Sequence, residues 1–390
     1  MIILFITHYA GYYGANKSLM SVMQGLREKY GVQPLVLLPT EGPMCSALQE
    51  ANIPYTVSHY YWWVNDNTGV FQWLLNKRKQ VRNYTRVNRW VKTTYDLSIR
   101  NYGAKPDLVY TNSVCVNVGI FVAERLGVPH VWQFRESLSQ FTFSLSLSRV
   151  LSLKLWGKKV NSRYVLISQY MMGHFRQYLP NDRMRLVYNG VDLPREVDRK
   201  ENAPRDGVLR LAMVGLVSPQ KNQLEAVKAV RLLRDAGIRV HLHIFGSCKD
   251  AYLSQLTEYI QEQGLEEMVH LEGHTNNVFE RLRDMNIGIM ASRDEAFGRV
   301  TIEYMLMKMP VIASRSGANE ELMRDGKNGY LYDIDHPEQL AACIRRYVEQ
   351  PELVEEQGKY AAQFAKENYS CEKNVSAIWQ VIQEAINEKK

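Results

Sequence analysis

Cysteine is scarce in this chain: five in 390 residues, at positions 45, 115, 248, 343 and 371, with no C-x-x-C pair. An odd, scattered set excludes a disulfide framework and a cysteine zinc site, and it fits reduced thiols. Long apolar runs are missing too. No stretch reaches the roughly 18 residues that span a bilayer. The opening "MIILFITHYAG" has no basic n-region and too short an apolar run for a signal peptide. A cytoplasmic protein is therefore expected, with a peripheral place on the inner face of the membrane as the second option. There is no repeat of 20–50 residues and no low-complexity tract. Acid is in mild deficit: 41 Asp and Glu against 48 Lys and Arg give a net charge of +7. That favours anionic partners such as nucleotides, lipid headgroups or nucleic acid, and composition alone does not choose among them.

The usual glycine signatures for phosphate are also incomplete. The first apolar run ends in "THYAGYYGANKS", where a Walker loop needs glycine at the place of Asn16. It is not G-x-G-x-x-G either, which leaves a nicotinamide dehydrogenase weakly supported. What remains is a glycine-containing strand-to-helix turn. Gly14 and its neighbours could offer backbone N–H groups to a diphosphate there.

What the chain does have is a rhythm. "IILFITH", "PLVLLP", "PYTVS", "DLVYTN", "HVWQF", "YVLIS" and "RLVYN" recur at helix-sized intervals. A charged, proline-containing stretch follows, and then "LRLAMVG", "VHLHIFG", "VHLEG", "IGIMAS", "PVIAS" and "GYLYD". Strands alternating with helices imply parallel sheets covered on both faces. The expected fold class is α/β, with two Rossmann-like, doubly wound domains facing an interdomain cleft. The boundaries expected are a first domain at 1–193, a linker at 194–208 and a second domain at 209–370. A C-terminal helix at 371–390 could pack back on the first domain.

The stretch "EAFGRVTIE" carries two glutamates, Glu295 and Glu303, eight positions apart around a Phe-Gly-Arg turn. Its flanks predict strand, loop, short helix, strand. Gly298 lets a ligand approach the backbone, and Arg299 and Val300 open a helix whose first N–H groups lack partners. Such a helix start attracts anions, yet carboxylates are supplied. They make sense if they accept hydrogen bonds from the hydroxyls of a ligand that also carries phosphates, which describes a sugar nucleotide. An acidic helix start that merely complements the dipole is the plainer alternative.

Lys221, in "SPQKN", lies just before an amphipathic helix, where it could neutralise a diphosphate leaving group. A surface lysine is the alternative. The "DID" at 333–335 imitates a metal-binding pair, but its place before a helix makes Asp335 a cap or turn residue. His241 and His243 share one face of a strand. No third ligand is in view, so they are read as structural.

Taken together, "GANKSL", "VYTNS", "VPHVWQFRE", "VYNGVDL", "VGLVSPQKNQ", "HIFG", "EAFGRVTIEYMLMKMPVIASRSGANEEL" and "GKNGYLYD" resemble the retaining glycosyltransferases of family 4, which have the GT-B fold. The resemblance covers about residues 2 to 335. It implies that Glu303 binds ribose hydroxyls and that Glu295 faces the donor sugar. Backbone at Phe297, Gly298, Arg299 and Val300 would contact sugar and phosphates. Lys221 would hold the diphosphate, with Gly14 approaching it from the first domain, which would bind the acceptor. Arg135 stands where many members carry a histidine. With Glu136 it is assigned to the acceptor side, and Arg135, Lys221 and Glu295 form the catalytic set. Leu216 replaces a usual phosphate-binding arginine, for which Arg299 is a candidate substitute. Met309 replaces a usual small residue.

By the same resemblance the reaction moves a hexose-type sugar from a UDP- or GDP-type donor to a glycan or lipid-linked glycan. No metal or cofactor is expected. A non-catalytic glycan- or membrane-binding module and a sugar-nucleotide epimerase are the alternatives. A phosphorylase lacks its pyridoxal signature. Finally, Arg78, Arg82, Arg86 and Arg89 recur on one helix face, with Val81, Tyr84, Val87 and Val91 on another. Residues 71–92 are thus expected to suit an anionic membrane surface, with 147–159 adding to it. Without a recognised module, nucleic acid is not an expected partner.

Overall fold

The computed structural model describes residues 1–64, 70–137, 162–193, 207–247, 250–275 and 277–388. The basic segment 147–159, the side chains of 71–77 and most of the expected linker lie outside the described residues.

The chain divides into two compact units, Met1–Gly190 with Cys371–Lys390, and Val191–Ser370. In the first, β1 (Ile2–Thr7), β2 (Gln33–Leu38), β3 (Tyr55–Val57), β4 (Leu108–Asn112), β5 (His130–Phe134), β6 (Ser162–Leu166) and β7 (Met184–Leu186) form one sheet. Its order is β3-β2-β1-β4-β5-β6-β7. In the second, β8 (Leu209–Val214), β9 (Val240–Phe245), β10 (Val269–Gly273), β11 (Ile287–Met290), β12 (Val311–Ser314) and β13 (Gly329–Tyr332) are ordered β10-β9-β8-β11-β12-β13. Every pairing is parallel. Central strands such as β1, β4 and β5 are buried along their whole length, which is why they read as largely apolar runs with no exposed alternate positions.

The first unit is closed by the helix Cys371–Asn387. Its Val375, Ile378, Val381 and Ile382 join the same core as Ile3, Phe5 and Leu19. It crosses the helix Gly14–Tyr30 so closely that a Cβ on Gly25 would lie 2.6 Å from a methyl of Val375. Tyr30 and Trp379 stack beside that crossing, with ring centres 4.5 Å apart.

One expected helix face is corrected. In the helix Val70–Tyr102, Val81, Tyr84, Val87 and Val91 do not share an apolar face. Val87 is 2% exposed, whereas Val81 and Tyr84 are 63% and 61% exposed. The inward side is instead Asn83, Val87, Trp90, Thr94 and Ser98, at spacings of three and four. Polar groups could take inward places because they are paired there. Asn83 Nδ2 donates to the Tyr61 carbonyl and Asn83 Oδ1 accepts the Tyr61 amide. Arg82 and Arg86 are drawn to Tyr61, Arg82 to its hydroxyl and Arg86 over its ring, while Arg78 and Arg89 face solvent.

Candidate functional site

Each sheet has one point where the strand order reverses, and crevices form there at the carboxyl ends of strands. In the second unit it lies between β8 and β11. The loop after β8 carries Lys221 and the loop after β11 carries Glu295. Arg293 N donates to Gln220 O at 2.9 Å and ties the two loops together. Lys221 Nζ then donates to Glu295 Oε2 at 2.6 Å. The other oxygen, Oε1, accepts the Gly298 amide at 3.1 Å. Glu295 therefore completes a helix start, as the plainer reading has it, and at the same time fixes the lysine.

Gly298 has φ +89 and caps the helix Arg299–Leu306. That left-handed backbone favours glycine, and an added Cβ would sit 2.9 Å from Leu322. Gly317, at φ +57, presses on Glu295 from the other side: its Cβ would be 2.3 Å from the Glu295 carbonyl oxygen. The next residue, Ala318, donates its amide to that oxygen at 2.7 Å. One turn into the helix, buried Glu303 accepts from Arg299 Nε at 2.9 Å. Tyr304 Oη accepts the Val214 amide at 2.7 Å, which pins the helix to the end of β8. Phe297 is buried edge-on to Tyr369, and Val300 is half-buried. Leu216 is 47% exposed in the β8 loop. The structure thus brings Lys221, Glu295, Gly298, Arg299 and Glu303 to one switch point. Asp335 is a turn residue at φ +66 whose carboxylate is gripped at both oxygens by Arg293, at 2.7 and 2.5 Å.

In the first unit the order reverses between β1 and β4. Gly14 is the exposed first residue of the helix that follows β1. Asn16, at the missing Walker glycine, is buried and staples the turn. It accepts from Thr7 Oγ1 at 2.6 Å and donates to the carbonyls of Tyr9 and Gly11 at 3.0 and 2.7 Å. Arg135 follows β5 and is buried. Its Nε, Nη1 and Nη2 donate to Asn112, Asn189 and Gln133. Held so, it acts on its surroundings chiefly through its charge. Glu136 accepts from Ser113 Oγ at 2.9 Å and the Val114 amide at 3.2 Å. Burial pushes its carboxyl up to about 7.

Sequence reasoning passed over His8. It directly follows β1, is buried, and has Nε2 3.7 Å from Glu136 Oε1. Its Nδ1 has no hydrogen-bond partner. Burial, and then the Arg135 charge, lower its pKa to about 3. The available signal was its place, since a polar residue ending the first strand of a doubly wound sheet stands where ligands bind. His130, by contrast, is packed inside β5 between Thr111 Oγ1 at 2.8 Å and Ser162 Oγ at 3.2 Å.

Two family models divide the chain between them: Glycosyltransferase Family 4 matches residues 12–195 and Glycosyl transferases group 1 matches residues 194–364. The chain belongs to the GT-B glycosyltransferases. In fold this transferase is also similar to the crystal structure of HepE from Anabaena in complex with UDP. The TM-score is 0.79 at 21% identity, covering 98% of this chain and 100% of that one. An uncharacterized glycosyltransferase of Methanocaldococcus jannaschii is 25% identical over 274 residues, 68% of this chain and 72% of the relative. A poly(ribitol-phosphate) alpha-N-acetylglucosaminyltransferase of Staphylococcus aureus is 30% identical over 140 residues. That match spans 36% of this transferase and only 28% of the relative's length. Among the described residues no helix of the transferase is long and apolar enough to cross a membrane.

Proposed function

We propose that this transferase moves a hexose-type sugar, with retention, from a UDP- or GDP-sugar to a glycan or lipid-linked glycan in surface polysaccharide assembly. The observation that carries it is the paired arrangement around Gly298, where Lys221 meets Glu295 and Arg299 meets Glu303 beside a helix start. Lys221 and the amides of Arg299 and Val300, at the start of the helix, take the diphosphate, where negative charge grows as the sugar leaves. Glu303 accepts from ribose hydroxyls and Glu295 from hydroxyls of the donor sugar. Gly14, exposed at the start of its own helix in the first unit, is kept as a further phosphate-binding backbone position. In the first unit Glu136 and His8, with the Arg135 charge behind them, receive the acceptor. Its hydroxyl oxygen bonds to the sugar's anomeric carbon as the bond to the diphosphate breaks, and its proton goes to the departing phosphate. Positioning and charge stabilisation then supply the rate, with no metal in the catalytic step. UDP in the HepE structure and the polymeric acceptor in the name of the Staphylococcus relative support this reading.

The exposed Val81, Tyr84, Tyr95 and Ile99, beside Arg78, Arg82 and Arg89, support docking on an anionic membrane surface, where lipid-linked acceptors reside. Incubation with a panel of UDP-, GDP- and ADP-sugars tests the proposal. Slow donor hydrolysis and a raised Tm with the matching diphosphate are expected. If no nucleotide binds or turns over, the chain is a non-catalytic GT-B module.

A further inference from the structure

His241 and His243 alternate with core residues along β9, so both imidazoles lie on the face opposite Leu242 and Ile244. The third histidine that the sequence did not reveal comes from the neighbouring edge strand. His270 of β10 pairs in register with His243. His241 Nδ1 and His270 Nε2 are 3.0 Å apart. One ring nitrogen from each of the three lies within 4.8 Å of the other two. All three side chains are half-buried, open enough for an ion to enter.

Two details set this group apart from a packed histidine stack. Glu272 Oε1 lies 2.8 Å from His243 Nδ1, so it can take that N–H. A carboxylate on the far nitrogen is the arrangement that orients a metal-ligating imidazole and raises its basicity. The remaining nitrogen, His243 Nε2, is buried with no hydrogen-bond partner. An orphaned buried acceptor costs stability, and a coordinated cation removes that cost.

We propose that His241, His243 and His270 bind a divalent transition-metal ion of the class that favours imidazole, such as zinc or nickel, with Glu272 supporting His243. Nitrogen ligands suit these ions, whereas magnesium and calcium seek oxygen. Tetrahedral zinc separates its nitrogen ligands by about 3.4 Å, so small ring rotations close the set and leave a fourth place for water. The ion bridges β9 to β10 and ties down the sheet's edge. It is separate from the sugar-transfer residues of its own unit, which follow β8 and β11.

The test is titration of untagged full-length protein with zinc, nickel or magnesium chloride, followed by calorimetry and by Tm. Cobalt is added in parallel to read ligand-field absorption in the visible. One equivalent of zinc or nickel, a rise in Tm and no response to magnesium are expected. His270→Ala and His243→Ala should each abolish that equivalent while the far-ultraviolet circular dichroism is unchanged. Glu272→Gln should weaken binding by about 10–100-fold. If one alanine variant does not fold, His241→Gln serves in its place, and cobalt absorption reports the lost nitrogen ligand. Failure of the wild-type chain to bind one equivalent would overturn the proposal. So would binding that survives both the His243 and the His270 substitution.

Discussion

Lys221 Nζ and Glu295 Oε2 stand 2.6 Å apart, an ion pair that joins the loops following two adjacent strands, β8 and β11. The lysine is thereby held over the crevice before any ligand arrives, so little ordering remains for the reaction step. Lys221→Met should lower kcat by about 10²–10³-fold, the usual loss for one preorganised donor to a growing anion. Steady-state kinetics with the matched donor checks this. An unchanged kcat would remove Lys221 from the leaving-group side.

Glu303 is buried and already tethered by Arg299 at 2.9 Å. A hydrogen bond to a charged group contributes about 1.5–3 kcal/mol. Glu303→Ala should therefore raise the Kd for the nucleoside diphosphate by about 10–100-fold, as read by calorimetric titration. Glu303→Gln should lie between the variant and the wild type.

Two glycines with similar backbones make a controlled comparison. Gly317 and Gly326 have φ +57 and +77, but a Cβ at 326 meets nothing within 4 Å, whereas at 317 it strikes the Glu295 carbonyl. Gly326→Ala should cost about 1 kcal/mol, the price of a left-handed alanine. Gly317→Ala should cost about 1–3 kcal/mol more through overpacking, and it should also depress turnover because Glu295 must shift. Denaturant unfolding and kinetics together decide this.

Glu136 gives a pH signature. Its folded pKa of about 7 stands above the ordinary 4.5, so the folded state keeps a proton that the unfolded state has lost. The contribution is complete below about pH 4.5 and disappears as pH rises through 7. Glu136→Gln should be more stable than the wild type at pH 8, by about 3 kcal/mol at most, with the gap closing toward pH 5. Melting curves of both proteins across pH 4.5–8.5 measure the gap.

The exposed stripe on the helix Val70–Tyr102 can be tested without disturbing the core, since Val81 and Tyr84 face solvent. Val81→Asp combined with Arg89→Glu should reduce cosedimentation with anionic vesicles and leave Tm unchanged. Each basic side chain near such a surface contributes about 1 kcal/mol. Equal binding of wild type and variant would exclude this face.

The sheets were legible because buried parallel strands are mostly apolar, so β1 and β4 announce themselves as "IILFIT" and "LVYTN", with polar residues only toward their carboxyl ends. The Gly298 turn was legible because glycine, charge and spacing coincide there. The face of the long helix was not, because Asn83 is satisfied inside by the Tyr61 backbone while Val81 is left outside. Pattern reading assumes polar residues point out, and a paired amide breaks that assumption. His8 and His270 were missed for a different reason. His8 offered only its place beside the first strand, and its partner Glu136 lies far away beyond β5; His270 gains meaning only from β9.

The helix Cys371–Asn387 belongs to a unit that otherwise ends at Gly190. A ribosome therefore delivers most of that unit long before the piece that seals it. Making the intervening Val191–Ser370 takes roughly 10–40 s at ordinary elongation rates. Throughout that interval the nascent protein shows the bare flank of its first helix around Gly25, a patch well suited to chaperone capture.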